Sequence, residues 1–220
     1  MYNVAIDGPA GAGKSTIAKT VAPKLDFIYV DTGAMYRSMA LACIRAGVSG
    51  GDEESVVSVC RDIDVRIEYK DGEQIVLLNG ENVNAYIRTE EVGNMTSAIS
   101  VYKDVRAKLL ELQRNLAKKN NVIMDGRDIG TFVLKDAFVK IYLTASARIR
   151  AKRRCLELKN RGIEADVNEV EKDIIDRDYR DMHREIAPLS QAEDAILVDS
   201  SELTIEQVVE KIVGIIEERK

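Results

Sequence analysis

Tryptophan is absent from this chain, and all its aromatic residues together make up 5% of it. So few rings leave little to build the stacked platform on which proteins hold single-stranded nucleic acid. There is one histidine, His183, and there are three cysteines, Cys43, Cys60 and Cys155, with no C-x-x-C pair among them. Zinc sites and disulfide frameworks need clustered or evenly paired ligands, so these cysteines are expected to be reduced, buried thiols. No apolar run reaches the roughly 20 residues that a bilayer-crossing helix requires. No basic leader followed by an apolar stretch stands at the start. A cytoplasmic location without a membrane partner is therefore expected. An excess of positive charge is missing too: 32 Lys and Arg stand against 37 Asp and Glu, for a net charge of -5. The balance argues against a whole-surface attraction to nucleic acid or anionic membrane, so any anionic ligand must be held by a local cluster of cations. A monomer is the default expectation.

What is present is a soluble-type composition over 220 residues, 45% hydrophobic and 31% charged, enough for one substantial core with a small insert. Short apolar runs of the buried-strand type occur at Tyr2–Asp7, Phe27–Asp31, Val122–Asp125, Val139–Leu143 and Ala195–Val198. Helical patterns lie between them, notably from Ser15, from Thr32 to about Gly47, over Lys103–Lys119 and over Ala145–Asn160, with a closing helix over Thr204–Glu218. Strands alternating with helices predict an α/β fold, a five-stranded parallel sheet flanked by helices. One stretch breaks the alternation. Val65–Tyr69 and Gln74–Leu78 are strand-like, joined through Asp71-Gly72 and followed by Asn79-Gly80, both strong hairpin signals. The reading is a core of residues 1–59 and 96–220 carrying a small antiparallel insert at 60–95.

Gly8-Pro9-Ala10-Gly11-Ala12-Gly13-Lys14-Ser15 fits G-x-x-x-x-G-K-[ST] between a strand and a helix. Glycines let backbone N–H groups converge on phosphate oxygens, and the helix adds unpaired N–H groups and the positive end of its dipole. Lys14 would reach the β- and γ-phosphates of a nucleoside triphosphate, and the Ser15 hydroxyl would ligate Mg²⁺. A phosphate loop alone does not name a reaction. Further arginines suit the forked geometry of a second phosphate. Tyr36 and Arg37 lie one turn into the helix after the second strand. Arg127 and Asp128 follow Asp125, which stands where a magnesium-binding acid would. Arg148, Arg150, Arg153 and Arg154 stud one helix. Arg177, Asp181 and Arg184 share one face of another. Two solvated helices laced with ion pairs would account for these last arginines, but aliphatic neighbours and a nearby triphosphate site favour a lid over about 145–185. His183, without a partner histidine, is read as a surface residue.

Taken together, the blocks IDGPAGAGKST (6–16), DTGAMYR (31–37), LNGENV (78–83), IRTEEV (87–92), GRDIGT (126–131), RDYRD (177–181), APL (187–189) and DSSELTIEQVVE (199–210) resemble the bacterial-type cytidylate kinases, a branch of the nucleoside monophosphate kinases. The resemblance runs essentially end to end and includes the antiparallel insert on the monophosphate-binding side. It implies a P-loop NTPase fold and Mg²⁺-dependent transfer of the ATP γ-phosphate to CMP or dCMP. Residues Gly8 to Ser15 with Thr16, together with Arg150 and Arg154 of a mobile lid, are implied for ATP. Arg37 and Arg127 are implied as clamps for the acceptor phosphate, with Tyr36 packing nearby. Thr32, Ser97, Arg106 and Asp128 are implied around the cytosine, with Arg184 beside them. Arg177 and Asp181 are implied for sugar and phosphates, and Lys14, Arg127 and Arg177 for catalysis. The chain has Lys103 and Lys135 where the family often carries proline; the implied ligands are intact.

Overall fold

The computed structural model describes residues 1–70, 72–160 and 162–220. In chain order the first half contains β1 (Asn3–Asp7), α1 (Lys14–Lys24), β2 (Ile28–Asp31), α2 (Thr32–Arg45), α3 (Glu53–Asp62), β3 (Val65–Lys70), β4 (Glu73–Leu78), β5 (Glu81–Asn82), α4 (Glu90–Ile99) and α5 (Lys103–Lys119). The second half contains β6 (Val122–Gly126), a π-helical turn (Ile129–Val133), β7 (Val139–Thr144), α6 (Ala147–Asn160), α7 (Val167–His183), β8 (Ile196–Asp199) and α8 (Ile205–Glu217). The strands form a five-stranded sheet in the order β2-β6-β1-β7-β8 and a three-stranded sheet in the order β3-β4-β5. This is the α/β sheet that the strand–helix alternation predicts. The chain divides into two compact units, one comprising Met1 with Ile28–Asn120 and the other Tyr2–Phe27 with Asn121–Lys220.

In the unit formed by Tyr2–Phe27 and Asn121–Lys220, β1 pairs in parallel with β6 on one side and β7 on the other, and β7 pairs in parallel with β8. Strands covered on both faces need apolar residues at every position rather than at alternate ones. Val4, Ala5, Ile6, Ile123, Met124, Ile141 and Leu143 are buried accordingly. The register sets Ile6 beside Asp125 and Asp7 beside Gly126, so the carboxyl ends of β1 and β6 finish level. That is the edge at which α/β folds bind ligands. α8 closes the unit through a capping box, in which the Thr204 hydroxyl serves Gln207 N–H and the Gln207 side chain serves Thr204 N–H.

In the other unit, β3 and β4 form the expected antiparallel hairpin, with Lys70 opposite Glu73. Asp71, half of its turn signal, lies outside the described residues. Antiparallel pairing ends at Asn82, and Thr89 then caps α4 by accepting a hydrogen bond from Val92 N–H. The hairpin is tied to β2 by Tyr69, whose hydroxyl donates to Tyr29 O at 3.1 Å. Gln74 holds Asp31 through both backbone groups: its Oε1 accepts from Asp31 N at 2.8 Å and its Nε2 donates to Asp31 O at 3.2 Å. Cys43 on α2 and Cys60 on α3 are buried free thiols with their sulfurs 3.8 Å apart, whereas Cys155 is only half-buried. No helix of the described residues is long and apolar enough to cross a membrane.

Candidate active site

The phosphate loop leaves β1 through Gly8 at φ 149°, and a Cβ placed there would lie 1.9 Å from Leu143 O. No side chain fits. Gly13 stands at φ 90° as the residue preceding α1, and the helix has no side-chain cap, so its first N–H groups are left for an anion. Lys14 is buried and its Nζ donates to Pro9 O at 2.8 Å. Burial, followed by the positive charge of Arg127, lowers the Lys14 pKa to about 7, against the pull of Asp125, Asp7 and Asp181. The Ser15 hydroxyl donates to Asp125 Oδ2 at 2.8 Å. Thr16 follows, exposed, in the first turn of α1. Magnesium prefers oxygen ligands and keeps several waters, taking one or two protein groups along with phosphates. Ser15 and Asp125 fit that pattern. Among the described residues no cluster of three or more His, Cys, Asp or Glu could hold a metal by itself.

The turn after β6 gathers four of the expected residues. Arg127 Nε donates to Asp181 Oδ2 at 2.9 Å, and Arg184 Nη2 donates to Asp128 Oδ1 at 3.1 Å. Burial raises the Asp181 pKa, but Arg127, Arg177 and Arg184 outweigh it and hold that carboxyl below the usual range. Burial likewise works against the charge of Arg127; Asp181 and Asp125 more than compensate, so its pKa is raised. Arg177 is thereby placed within electrostatic reach of the same carboxylate. α7 ends at His183, and Arg184 turns out of it at ψ 142° to donate from Nε to Ala187 O at 2.7 Å. The face predicted for Arg177, Asp181 and Arg184 therefore reaches its last member through the cap, not the helix.

Arg150 is buried and spans three elements. It donates to Ala145 O at 2.8 Å and to Ala10 O in the phosphate loop at 2.9 Å, and it pairs with Asp178 at 2.6 Å. Asp178 Oδ1 is buried without a hydrogen bond among the described residues. Arg154 pairs with Glu157 three residues along α6, on the surface. His183 is exposed; its ring stacks on Tyr179 with centroids 4.0 Å apart, and Nδ1 lies 2.8 Å from Tyr179 O.

The unit Ile28–Asn120 carries its own cationic cluster. Asp31 caps α2 by accepting from Ala34 N at 2.8 Å, and its carboxylate also holds Arg37 at 3.0 Å and Arg88 at 2.9 Å. Arg37 Nε is buried and has no hydrogen-bond partner among the described residues. Thr32 is buried at the first turn of α2. The Arg106 guanidinium, on α5, is buried, donates to Ser100 O at 3.3 Å and lies 5.7 Å from the centre of the Tyr36 ring. Ser97 is half-buried on α4. Two participants escape a sequence reading. Arg88 sits in the IRTEEV block but shows its role only through Asp31. Asp7 sits inside IDGPAGAGKST, with a carboxylate that accepts from Ile129 N at 2.8 Å and Gly130 N at 2.7 Å. Burial raises the Asp7 pKa to about 6, and those two N–H groups oppose the rise.

A parallel sheet whose first strand runs into a glycine loop, a buried lysine and a helix, with arginine clusters beside it, defines a P-loop phosphotransferase-type protein. The cytidylate kinase family model matches residues 4–218. The chain is 51% identical over 210 residues to a cytidylate kinase of Caldicellulosiruptor saccharolyticus, covering 96% of this chain and 93% of that one. It is 49% identical over 220 residues to a cytidylate kinase of Lactobacillus johnsonii, covering 100% and 96%. The chain belongs to the cytidylate kinase family. A gluconokinase of Sinorhizobium meliloti superposes with a TM-score of 0.51 at 10% identity, over 99% of this chain and 92% of that one, a likeness of fold alone.

Proposed function

We propose that the protein transfers the γ-phosphate of ATP to CMP or dCMP, giving CDP or dCDP and ADP. Membership of the cytidylate kinase family supports the reaction. The structural observation that carries it is the presence, besides the phosphate loop, of a second cationic group in Arg37 and Arg88 held on Asp31. An ATPase acting on water has no use for that group; a kinase acting on a phosphorylated acceptor must neutralise a second anion. The roles follow from chemistry. The backbone of Gly8–Thr16 and Lys14 hold the triphosphate of ATP, and Arg150 braces that loop through Ala10 O. Ser15 and Asp125 would hold Mg²⁺, which would supply positive charge to offset that of the transferred phosphate. Arg37 and Arg127 bind the acceptor phosphate, whose ionised oxygen is the nucleophile and needs no general base. Lys14, Arg127 and Arg177 stabilise charge on the group in flight. Thr32, Ser97, Arg106 and Asp128 surround the base, with Arg184 steadying Asp128. Arg177 and Asp181 bind sugar and phosphates. Lid movement over 145–185, the insert boundary of 60–95, a monomeric state and a cytoplasmic setting belong to the same reading.

The test is ATP turnover with and without CMP, following ADP and CDP together. Formation of the two in step, with little ADP when CMP is left out, is the expected result; ADP production indifferent to CMP would overturn the proposal. Lys14→Met and Arg127→Ala should each lower kcat/KM by about a hundredfold or more, the loss of one preorganised charge at a phosphoryl group.

A further inference from the structure

The turn bearing Arg127 and Asp128 is tied at both ends to one residue. On its upstream side Gly126, the last residue of β6, lies in register beside Asp7, the last residue of β1. On its downstream side the π-helical turn begins, closed by Val133 N donating to Asp128 O at 3.1 Å and Leu134 N donating to Ile129 O at 2.7 Å. The first N–H groups of such a turn have no partner within it, and Asp128 does not cap them with its side chain. The Asp7 carboxylate takes two of them, Ile129 N on Oδ1 and Gly130 N on Oδ2. Gly130 permits the approach: a Cβ there would lie 3.1 Å from Lys140 Cδ and 3.4 Å from Asp7 Oδ2. Asp7 is 4% exposed, so both bonds lie away from bulk solvent. The next residue along the chain is Gly8, where the phosphate loop starts.

We propose that Asp7 is a positioning residue for the acceptor: by clamping Ile129 and Gly130 while pairing with Gly126, it fixes the span from which Arg127 and Asp128 project. The proposal rests on the reading that Arg127 and Asp128 bind the monophosphate. Only a carboxylate serves at this position. An asparagine of the same shape keeps one acceptor oxygen and turns an NH₂ group toward the second N–H, so one bond is lost and two donors face each other in a buried place. The span then moves relative to the acceptor, while the triphosphate is still held by the backbone of the loop.

The experiment compares Asp7→Asn, Asp7→Ala and Arg127→Ala with the parent, measuring KM for CMP, KM for ATP and amide exchange at Ile129 and Gly130. The parent should protect both amides. Asp7→Asn should expose them, raise KM for CMP about tenfold and change KM for ATP by less than about threefold, the signature of a lost ground-state contact to one substrate. Fast exchange at both amides in the parent overturns the proposal without recourse to any variant. A parallel rise in KM for both substrates overturns it as well, since Asp7 would then be serving the phosphate loop. If Arg127→Ala raises KM for CMP and Asp7→Asn does not, the proposal fails alone; if Arg127→Ala leaves KM for CMP unchanged, the reading of the turn fails and the proposal with it.

Discussion

At Gly8 a single methyl group separates a phosphate loop from a collision. Gly8→Ala forces a backbone at φ 149° that L side chains avoid and drives the new carbon toward Leu143 O. Such strain costs about 1–3 kcal/mol before any clash is added. A shift in Tm of about 4 °C or more is expected in a thermal melt, with ATP binding lost in the same variant. Lys14 supplies a second residue-scale prediction. With its pKa lowered to about 7, it is mostly neutral at pH 8 and mostly charged at pH 6 in the free protein. A bound triphosphate favours the ammonium and raises that pKa, so ATP binding at pH 8 should take up close to one proton and at pH 6 almost none. Calorimetry in two buffers of different ionisation enthalpy reads the uptake, which should vanish in Lys14→Met. On the proposed assignment of Asp128 to the base, its carboxylate suits the exocyclic amine of cytosine and opposes the carbonyl of uracil. Asp128→Asn should narrow the CMP-over-UMP preference in kcat/KM by about tenfold or more, because an amide can face either group. Gly8, Lys14 and Ser15 were legible in the sequence because they fall in one contiguous G-x-x-x-x-G-K-[ST] pattern, even though Ser15 meets Asp125 and Gly8 meets Leu143 from afar. Asp7 and Arg88 were not, because their partners stand 122 and 57 residues away.

Helices and strands divide along the same line. Each strand of the buried sheet was legible from an apolar run, and α2, α5 and α8 from their periodicity. α3 and α4 were not, although each begins with a capping residue and two acids, Asp52 with Glu53 and Glu54 and Thr89 with Glu90 and Glu91. Short helices gain little from propensity and depend on what they pack against. α3 illustrates the point at its far end. Lys108, two residues beyond Arg106 on α5, donates to the carbonyls of Cys60, Arg61 and Ile63, closing the C-terminal end that α3 cannot close by itself. A cation there also meets the negative end of the helix dipole. Lys108→Met removes three bonds to backbone carbonyls, two of them part-buried, and keeps the aliphatic stem, so a loss of about 1–2 kcal/mol is expected. In a chain of this size that is a fall in Tm of about 2–8 °C. Because α5 also carries Arg106, KM for CMP should rise while KM for ATP holds; a rise in KM for ATP alone would show that Lys108 acts elsewhere. The π-helical turn is the element least visible in sequence. Its N–H groups are satisfied from β1, and no local pattern announces a carboxylate supplied from another strand.

For the molecule as a whole, the net charge of -5 would repel two nucleotides were it spread evenly. Each compact unit answers with concentrated cations of its own: Arg37 and Arg88 on Asp31 in one, Lys14, Arg127, Arg150, Arg177 and Arg184 with their acids in the other. The acids do not cancel these sites. They keep the guanidinium groups in place, and on the proposed assignment a phosphate would replace part of a contact that already exists, at small cost in side-chain ordering. Two substrates should therefore stabilise the protein separately. A ligand present at about a hundred times its Kd adds about 2.7 kcal/mol to the folded state, or about 5–11 °C in Tm for a chain of this length. MgATP and CMP should each produce such a shift in a thermal melt of the parent. Lys14→Met should abolish the shift with MgATP and keep the one with CMP, because CMP has no triphosphate to place on the loop. Arg37→Ala should do the opposite. If either variant lost both shifts while its own Tm stayed at the parental value, the two nucleotides would be drawing on one shared set of cations, and the assignment of Arg37 to the acceptor and Lys14 to the donor would have to be abandoned.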